Sequence, residues 1–280
     1  VQLVVDVGNT ETVVGLATGV TRLASHWRVS SGVPRTADEM TALLRAFLGA
    51  DEIDESRIER GVIGSVVPSL NHVWTKTLGN IVRGEVLSVT PGSDLPIELD
   101  VDEPLSVGAD RIANTLAARE MYQRDTIAVD LGTATTFDCI TREGVFVGGV
   151  ISPGLPAGLE WLSARTAKLP RVELAPPRMV IGRRTETCIQ SGVFYQAVDA
   201  VDGIVRRIKD EWGRPEAYVV ATGGYSNVVG SHLATVDEVE PFLTLYGLAM
   251  AGERMGASGP SERGARGALP GGAPRADLRP

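Results

Sequence analysis

The residues best suited to chemistry lie in Asp130-Leu131-Gly132-Thr133-Ala134-Thr135-Thr136-Phe137-Asp138. The apolar run Thr126-Ile127-Ala128-Val129 precedes them and predicts a buried strand that ends at a carboxylate. Gly132 lets the backbone turn and come close to a ligand. The hydroxyls of Thr133, Thr135 and Thr136, with the N–H groups beside them, can donate to phosphate oxygens. A carboxylate cannot bind phosphate directly, because both are anionic. Asp130 therefore reads as the ligand of a metal ion or monovalent cation placed between them.

The same unit opens the chain. Leu3-Val4-Val5 predicts a short strand, Asp6-Val7-Gly8-Asn9-Thr10 a turn, and Thr12-Val13-Val14-Gly15-Leu16 a second strand. Strand, Asp-X-Gly, strand thus occurs twice. The echo predicts two similar halves that face one another and grip one polyphosphate between two hairpins.

Three further stretches could complete a site. In Gly108-Ala109-Asp110-Arg111, small residues precede an acid and a base at a predicted helix start. The plain interpretation is an Asp favoured by the helix dipole beside a surface Arg. The chemical one is a general base with an Arg that clamps a carboxylate. Val147 to Gly154 is rich in small and turn-forming residues, which suits an active-site wall or a simple strand-to-helix turn. Thr222-Gly223-Gly224 follows the strand-like Tyr218-Val219-Val220-Ala221 and offers a bare backbone on which a nucleoside could lie.

The elements that must position these residues alternate in type. Arg22 to Val29 predicts a strand. Thr36 and Glu39 form a capping box ahead of a helix with Met40, Leu43, Leu44, Phe47 and Leu48 on one face. Gly61 to Val67 predicts a strand, and Pro68-Ser69 opens a helix through Trp74. A hairpin is expected at Glu143-Gly144, and a helix through Leu159, Leu162 and Leu169. Thr185 to Asp210 is the longest helical pattern, with an apolar side suited to core or to a subunit interface. A last helix covers Leu243 to Met255. The pattern is α/β, with halves at 1–122 and 123–256. The Gly-, Pro-, Ala- and Arg-rich 257–280 are expected to be disordered.

Composition excludes some classes. A net charge of −8 argues against a nucleic-acid groove. The two cysteines, Cys139 and Cys188, have no metal spacing and are expected as reduced core residues. With no long apolar span or signal peptide, a cytoplasmic protein off the membrane is expected.

Taken together, these segments resemble the type III pantothenate kinases, a family in the actin-like superfamily of acetate and sugar kinases. The resemblance rests on Asp6 to Thr10, Ser65-Val66-Val67-Pro68, Gly108 to Arg111, Asp130 to Asp138, Gly148 to Gly154, Thr166 to Pro170, Gln190-Ser191-Gly192 and Thr222-Gly223-Gly224, in the family's order. It implies two actin-like (ribonuclease H-like) α/β halves with a nucleotide cleft between them. It also implies ATP-dependent phosphorylation of pantothenate to 4'-phosphopantothenate, the first step of coenzyme A synthesis. Asp110 would be the catalytic base. Asp6, Val7, Gly8, Asn9, Thr10, Glu11, Thr12 and Val13, with Thr133, would bind ATP, and Gly223 the nucleoside. Gly108, Ala109, Asp110, Arg111 and Thr185 would contact pantothenate. Asp130 would hold potassium or ammonium, magnesium would enter with ATP, and the chain would act as a homodimer. The family's substrate-contacting Tyr has no counterpart in Ile97 to Glu103, and Arg184 stands where an Asn is common. The alternatives are a non-catalytic nucleotide-binding regulator of the same family and a kinase of another small alcohol.

Overall fold

The computed structural model describes residues 1–166 and 168–257. The first half builds a five-stranded sheet from β1 (Gln2–Val7), β2 (Glu11–Gly19), β3 (Arg22–Ser30), β4 (Arg60–Ser65) and β5 (Val86–Val89), in the order β3-β2-β1-β4-β5. Helices α1 (Ala37–Ala50) and α2 (Pro68–Gly79) connect its strands, and β6 (Glu98–Leu99) and α3 (Ala109–Tyr122) follow it. The second half contributes β7 (Thr126–Leu131), β8 (Ala134–Ile140), β9 (Val145–Pro153), α4 (Leu155–Arg165), α5 (Thr185–Trp212), β10 (Tyr218–Thr222), α6 (Ser226–Val229), β11 (Glu238–Val239) and α7 (Leu243–Ala257). Its sheet runs β11-β10-β7-β8-β9-β6. Without β6 this repeats the first sheet's order, with two antiparallel pairs followed by two parallel ones. The echo seen in the sequence is therefore a repeat of topology.

Alternation along the strands sorts residues between layers. Leu3, Val5 and Val7 face outward and pack with Met40, Leu44 and Leu48 of α1 and Trp74 and Leu78 of α2. Ile127, Val129 and Leu131 face outward in the second sheet, against Phe194, Val198, Val201 and Val205 of α5. The inward residues Val4, Val62, Ala128 and Val220 share one cluster with Ile112 and Leu116 of α3 and Leu245 and Leu248 of α7. These two helices form the layer between the sheets. Both faces of β1 and β7 are covered, which is why those strands read as unbroken apolar runs. A Cβ on Gly247 of α7 would collide with the Ala113 carbonyl of α3, so only glycine permits this close approach.

Local signals were accurate. Thr36 caps α1, accepting from the Glu39 N–H (3.3 Å), and the Glu39 carboxylate accepts from the Thr36 N–H (2.7 Å). The long helix spans Thr185–Trp212, and Gly144 makes its turn at φ +88°. Three expectations change, and one left open is decided. Leu169 lies beyond α4, which ends at Arg165. Val147 to Pro153 is strand, because β9 pairs with β8 around a bulge near Cys139 and Ile140. The apolar side of α5 is consumed by its own sheet. Cys139 is buried as expected, but Cys188 is exposed on α5. Ala257 ends α7, and the rest of the tail expected at 257–280 lies outside the described residues.

Candidate active site

The site is assembled where the two hairpins meet. In the β1–β2 turn the Gly8 N–H donates to the Glu11 carbonyl (3.1 Å), and in the β7–β8 turn the Gly132 N–H donates to the Ala134 carbonyl (3.0 Å). The parallel neighbours repeat the likeness. The Val66 N–H donates to the Val7 carbonyl (3.1 Å) and the Tyr225 N–H to the Leu131 carbonyl (3.0 Å). The tips touch across the gap, with the Thr133 hydroxyl donating to the Thr10 hydroxyl (2.9 Å).

Around this contact lies a cleft of about 380 Å³. Of the residues singled out in the sequence, Asp6, Gly8, Asn9, Thr10, Glu11, Val13, Asp110, Asp130, Thr133 and Gly223 line it. Val7 and Thr12 do not. They are opposite one another in the β1–β2 register, and strand alternation turns both away from the cleft. Val7 packs in the outer core, and Thr12 pairs with the Ser31 hydroxyl at 2.9 Å. Gly108, Ala109, Arg111 and Thr185 are also absent from the lining, and Thr185 is exposed at the start of α5.

Three carboxylates converge. Asp6 and Asp130 are the next-to-last residues of β1 and β7, and Asp110 is in the first turn of α3. Burial pushes the Asp6 carboxyl well above the ordinary range, and the charges of Asp110 and Asp130 push it further. Burial also raises Asp130 to about 7, with Asp110 and then Asp138 adding to the effect. Burial raises Asp110, against the pull of the Arg111 N–H and the Arg111 charge. That N–H donates to Asp110 Oδ1 at 2.8 Å. Gly223, at φ +88°, is required here, because a Cβ would collide with Asp130 Oδ1. Three like charges converging in a partly desolvated cleft cannot all ionise without positive charge beside them.

Behind the cleft lies a polar layer. Arg111 Nε donates to Asp138 Oδ1 at 2.6 Å, and its guanidinium sits 4.8 Å from the centre of the Phe146 ring. Arg111 Nη2 and Asp138 Oδ2 are buried without partners. Burial pushes Asp138 to about 6 although Arg111 pulls it down. Asn114 stands between the groups. Its Nδ2 is buried without a hydrogen-bond partner but near enough to both carboxyls to lower Asp130 and Asp138, and its Oδ1 accepts from the Thr244 hydroxyl at 2.9 Å. Sequence reasoning missed Asn114 and Thr244. The available signal was spacing, because Asn114 lies four residues after Asp110 on the same face of α3.

On the other side of α4 lies a larger apolar hollow of about 560 Å³, lined by Phe137, Leu155, Trp161, Leu162 and Val193 among others. Among the described residues no ionisable side chain lines it, whereas five carboxylates line the smaller cleft. Among the described residues, no group of three or more His, Cys, Asp or Glu side chains is arranged to hold a metal ion, and no helix is long and apolar enough to cross a membrane.

Comparison with known proteins gives a consistent result. A family model described as type III pantothenate kinase matches residues 2–207. The type III pantothenate kinase of Moorella thermoacetica is 42% identical over 252 residues, covering 90% of this chain and 98% of its own. That of Frankia alni is 42% identical over 253 residues, with the same coverage. Among solved structures, the ethanolamine utilization protein EutJ from Carboxydothermus hydrogenoformans superposes with a TM-score of 0.53 at 17% identity, covering 89% of each chain. The (R)-2-hydroxyglutaryl-CoA dehydratase component A of Acidaminococcus fermentans does so with a TM-score of 0.52 at 12% identity, covering 92% of this chain and 98% of its own. At those identities the structures share the fold alone, an α/β architecture of two lobed sheets.

Proposed function

This chain belongs to the type III pantothenate kinase family and phosphorylates pantothenate with ATP, and on that premise we propose how its cleft performs the reaction. The observation that carries the proposal is the convergence of Asp6, Asp110 and Asp130 beneath two hairpin tips in contact. The halves, divided near residue 122, present one phosphate-binding turn each. N–H groups of Gly8 to Glu11 and of Gly132 to Ala134, with the hydroxyls of Thr10 and Thr133, hold the phosphate chain of ATP. The turn at Gly223 carries the nucleoside.

Asp110 accepts the proton of the pantothenate hydroxyl as its oxygen bonds to the γ-phosphorus. A primary alcohol is a weak nucleophile, and a carboxylate at the mouth of a buried cleft supplies the missing basicity. The bond between the γ-phosphorus and the bridging oxygen breaks as the new one forms, and ADP leaves with that oxygen. Arg111 orients the acceptor. Asp138 fixes its Nε, and its unpartnered Nη2 is buried behind the cleft, so the guanidinium must shift toward the cleft to meet the carboxylate of pantothenate.

The donor set fits a monovalent cation. Asp130 is half-buried in the cleft wall, has no ion pair among the described residues, and is raised to about 7 by desolvation and like charge. One positive charge beside it is what its environment calls for. Asp130 would hold potassium or ammonium, which offsets phosphate charge when bound, and magnesium would arrive on ATP.

We further propose a homodimer acting in the cytoplasm. Exposed apolar residues support the dimer: Trp161 on α4, Ile151 on β9 and the run Met179-Val180-Ile181. Thr185, four residues after that run and outside the cleft of its own chain, would reach substrate from a second copy. The test of the whole reading is a coupled assay of ADP release with and without pantothenate. Pantothenate-dependent release is expected. Release that pantothenate does not change would overturn the reading.

A further inference from the structure

The charge balance of the cleft singles out one residue. Five carboxylates line it: Asp6, Glu11, Asp110, Asp130 and Glu160. Against them stands, among the described residues, a single basic side chain, Arg28. A triphosphate entering this cleft brings more negative charge, so the lone guanidinium is the protein's own counter-charge on the nucleotide side.

Its placement matches that task. Arg28 lies on β3 opposite Val13, so the first sheet carries it. Its tip reaches the second half, because a Cβ built on Gly224 would lie 3.2 Å from Arg28 Nη1. Arg28 thus spans from one hairpin to the Gly223-Gly224 turn of the other half. The same Nη1 donates to Glu11 Oε2 at 3.0 Å. Both partners are partly open to solvent, at 40% and 53% exposure of their side chains. An ion pair that exposed is weak, worth little to stability. It is also exchangeable, because Glu11 accepts only one N–H here, whereas two oxygens of a phosphate can accept two from a guanidinium and carry more charge.

We propose that Arg28 is a nucleotide-binding residue that exchanges Glu11 for the phosphate chain of ATP and so draws the two halves together on the bound nucleotide. This rests on the cleft being the ATP site. In the free enzyme Glu11 holds the arginine over the cleft and keeps it from collapsing onto the buried carboxylates. When ATP binds, the guanidinium passes to phosphate and Glu11 returns to solvent. The affinity gained therefore scales with the phosphates of the nucleotide and not with its base.

The test measures dissociation constants for Mg·ATP and for adenosine, by competition against a fluorescent ATP analogue, in wild type, Arg28→Gln, Glu11→Gln and Thr10→Val/Thr133→Val. A charge-assisted hydrogen bond predicts that Arg28→Gln weakens ATP about ten- to a hundredfold, while adenosine binding, the KM for pantothenate and the Tm hold. Glu11→Gln removes the competing carboxylate and should bind ATP more tightly than wild type. Unchanged ATP affinity in Arg28→Gln overturns the inference. So does an equal loss for adenosine, which would make the contact one to the base or to the fold. A loss in Glu11→Gln as large as that in Arg28→Gln overturns it too, by making the pair structural. The hairpin variant separates this inference from its premise. If Thr10→Val/Thr133→Val weakens ATP and Arg28→Gln does not, only the arginine is wrong. If neither does, the cleft is not the ATP site.

Discussion

Replacing Asp110 by Asn should separate catalysis from stability in opposite directions. The Asn side chain keeps the shape and an oxygen that can still accept the Arg111 N–H, now made at 2.8 Å. It loses the basic oxygen. Removal of a general base costs about 10²–10⁴-fold in rate, or about 3–5 kcal/mol on the barrier. Stability should move the other way. Asp110 raises both Asp6 and Asp130, in each case second only to burial. The Asp130 carboxyl sits at about 7 where 3.8 is ordinary, so charging it at neutral pH costs on the order of 4 kcal/mol. Neutralising Asp110 relieves a part of that. The assays are ADP release at saturating substrates, ATP binding by calorimetry, and thermal melting at pH 8. The expected result is a kcat down at least a hundredfold, ATP affinity retained, and a Tm at or above wild type. Turnover within a few-fold of wild type would refute the base assignment and turn attention to Asp138. A clear fall in Tm would refute the picture of a repelling carboxylate cluster.

Other consequences can be measured on the same protein. Asp130 and Asp138 are raised in the folded state, to about 7 and about 6, so between about pH 4 and 7 the native protein holds more protons than the unfolded chain. Their contribution to stability therefore falls as pH rises through that window. In tetramethylammonium buffer the Tm should drop from pH 5 to pH 8, and potassium or ammonium should restore it at pH 8 more than at pH 5. Restoration by sodium to the same extent, or turnover equal in all three salts, would count against Asp130 as a selective cation ligand. Arg111→Ala should raise the KM for pantothenate and also strand the buried Asp138, at a cost of about 3–5 kcal/mol. Adding Asp138→Asn should recover the Tm but not the KM, and a double variant with normal KM would exclude Arg111 from substrate binding. Light scattering at micromolar concentration should report a dimer that Trp161→Glu weakens, and a monomeric wild type would sink the shared-site reading of Thr185.

The sequence by itself determined the local units and the family. Strand periodicity, the capping box at Thr36 and the Asp-X-Gly turns each act within a few residues, so pattern and propensity specify them. The two hairpins were legible because each carries its carboxylate, glycine and hydroxyls in one run. What a side chain finally touches was decided by packing. Asp138 and Arg111 stand 27 residues apart in the chain, and Thr244 and Asn114 stand 130 apart. No local rule joins such pairs. They meet because α3 and α7 are pressed together between the sheets and β8 passes beside them. The same packing gave Arg111 a buried partner where the sequence offered a surface or substrate-facing arginine. Strand alternation turned Val7 and Thr12 out of a segment that reads as continuous phosphate contact. The apolar side of α5, legible as either core or interface, became core, because it packs on the outer face of the second sheet with Ile127, Val129 and Leu131. Arg28 shows the limit most clearly. In the chain it is one arginine at the end of a strand, and only the approach of the two halves makes it, among the described residues, the lone basic side chain of an acidic cleft.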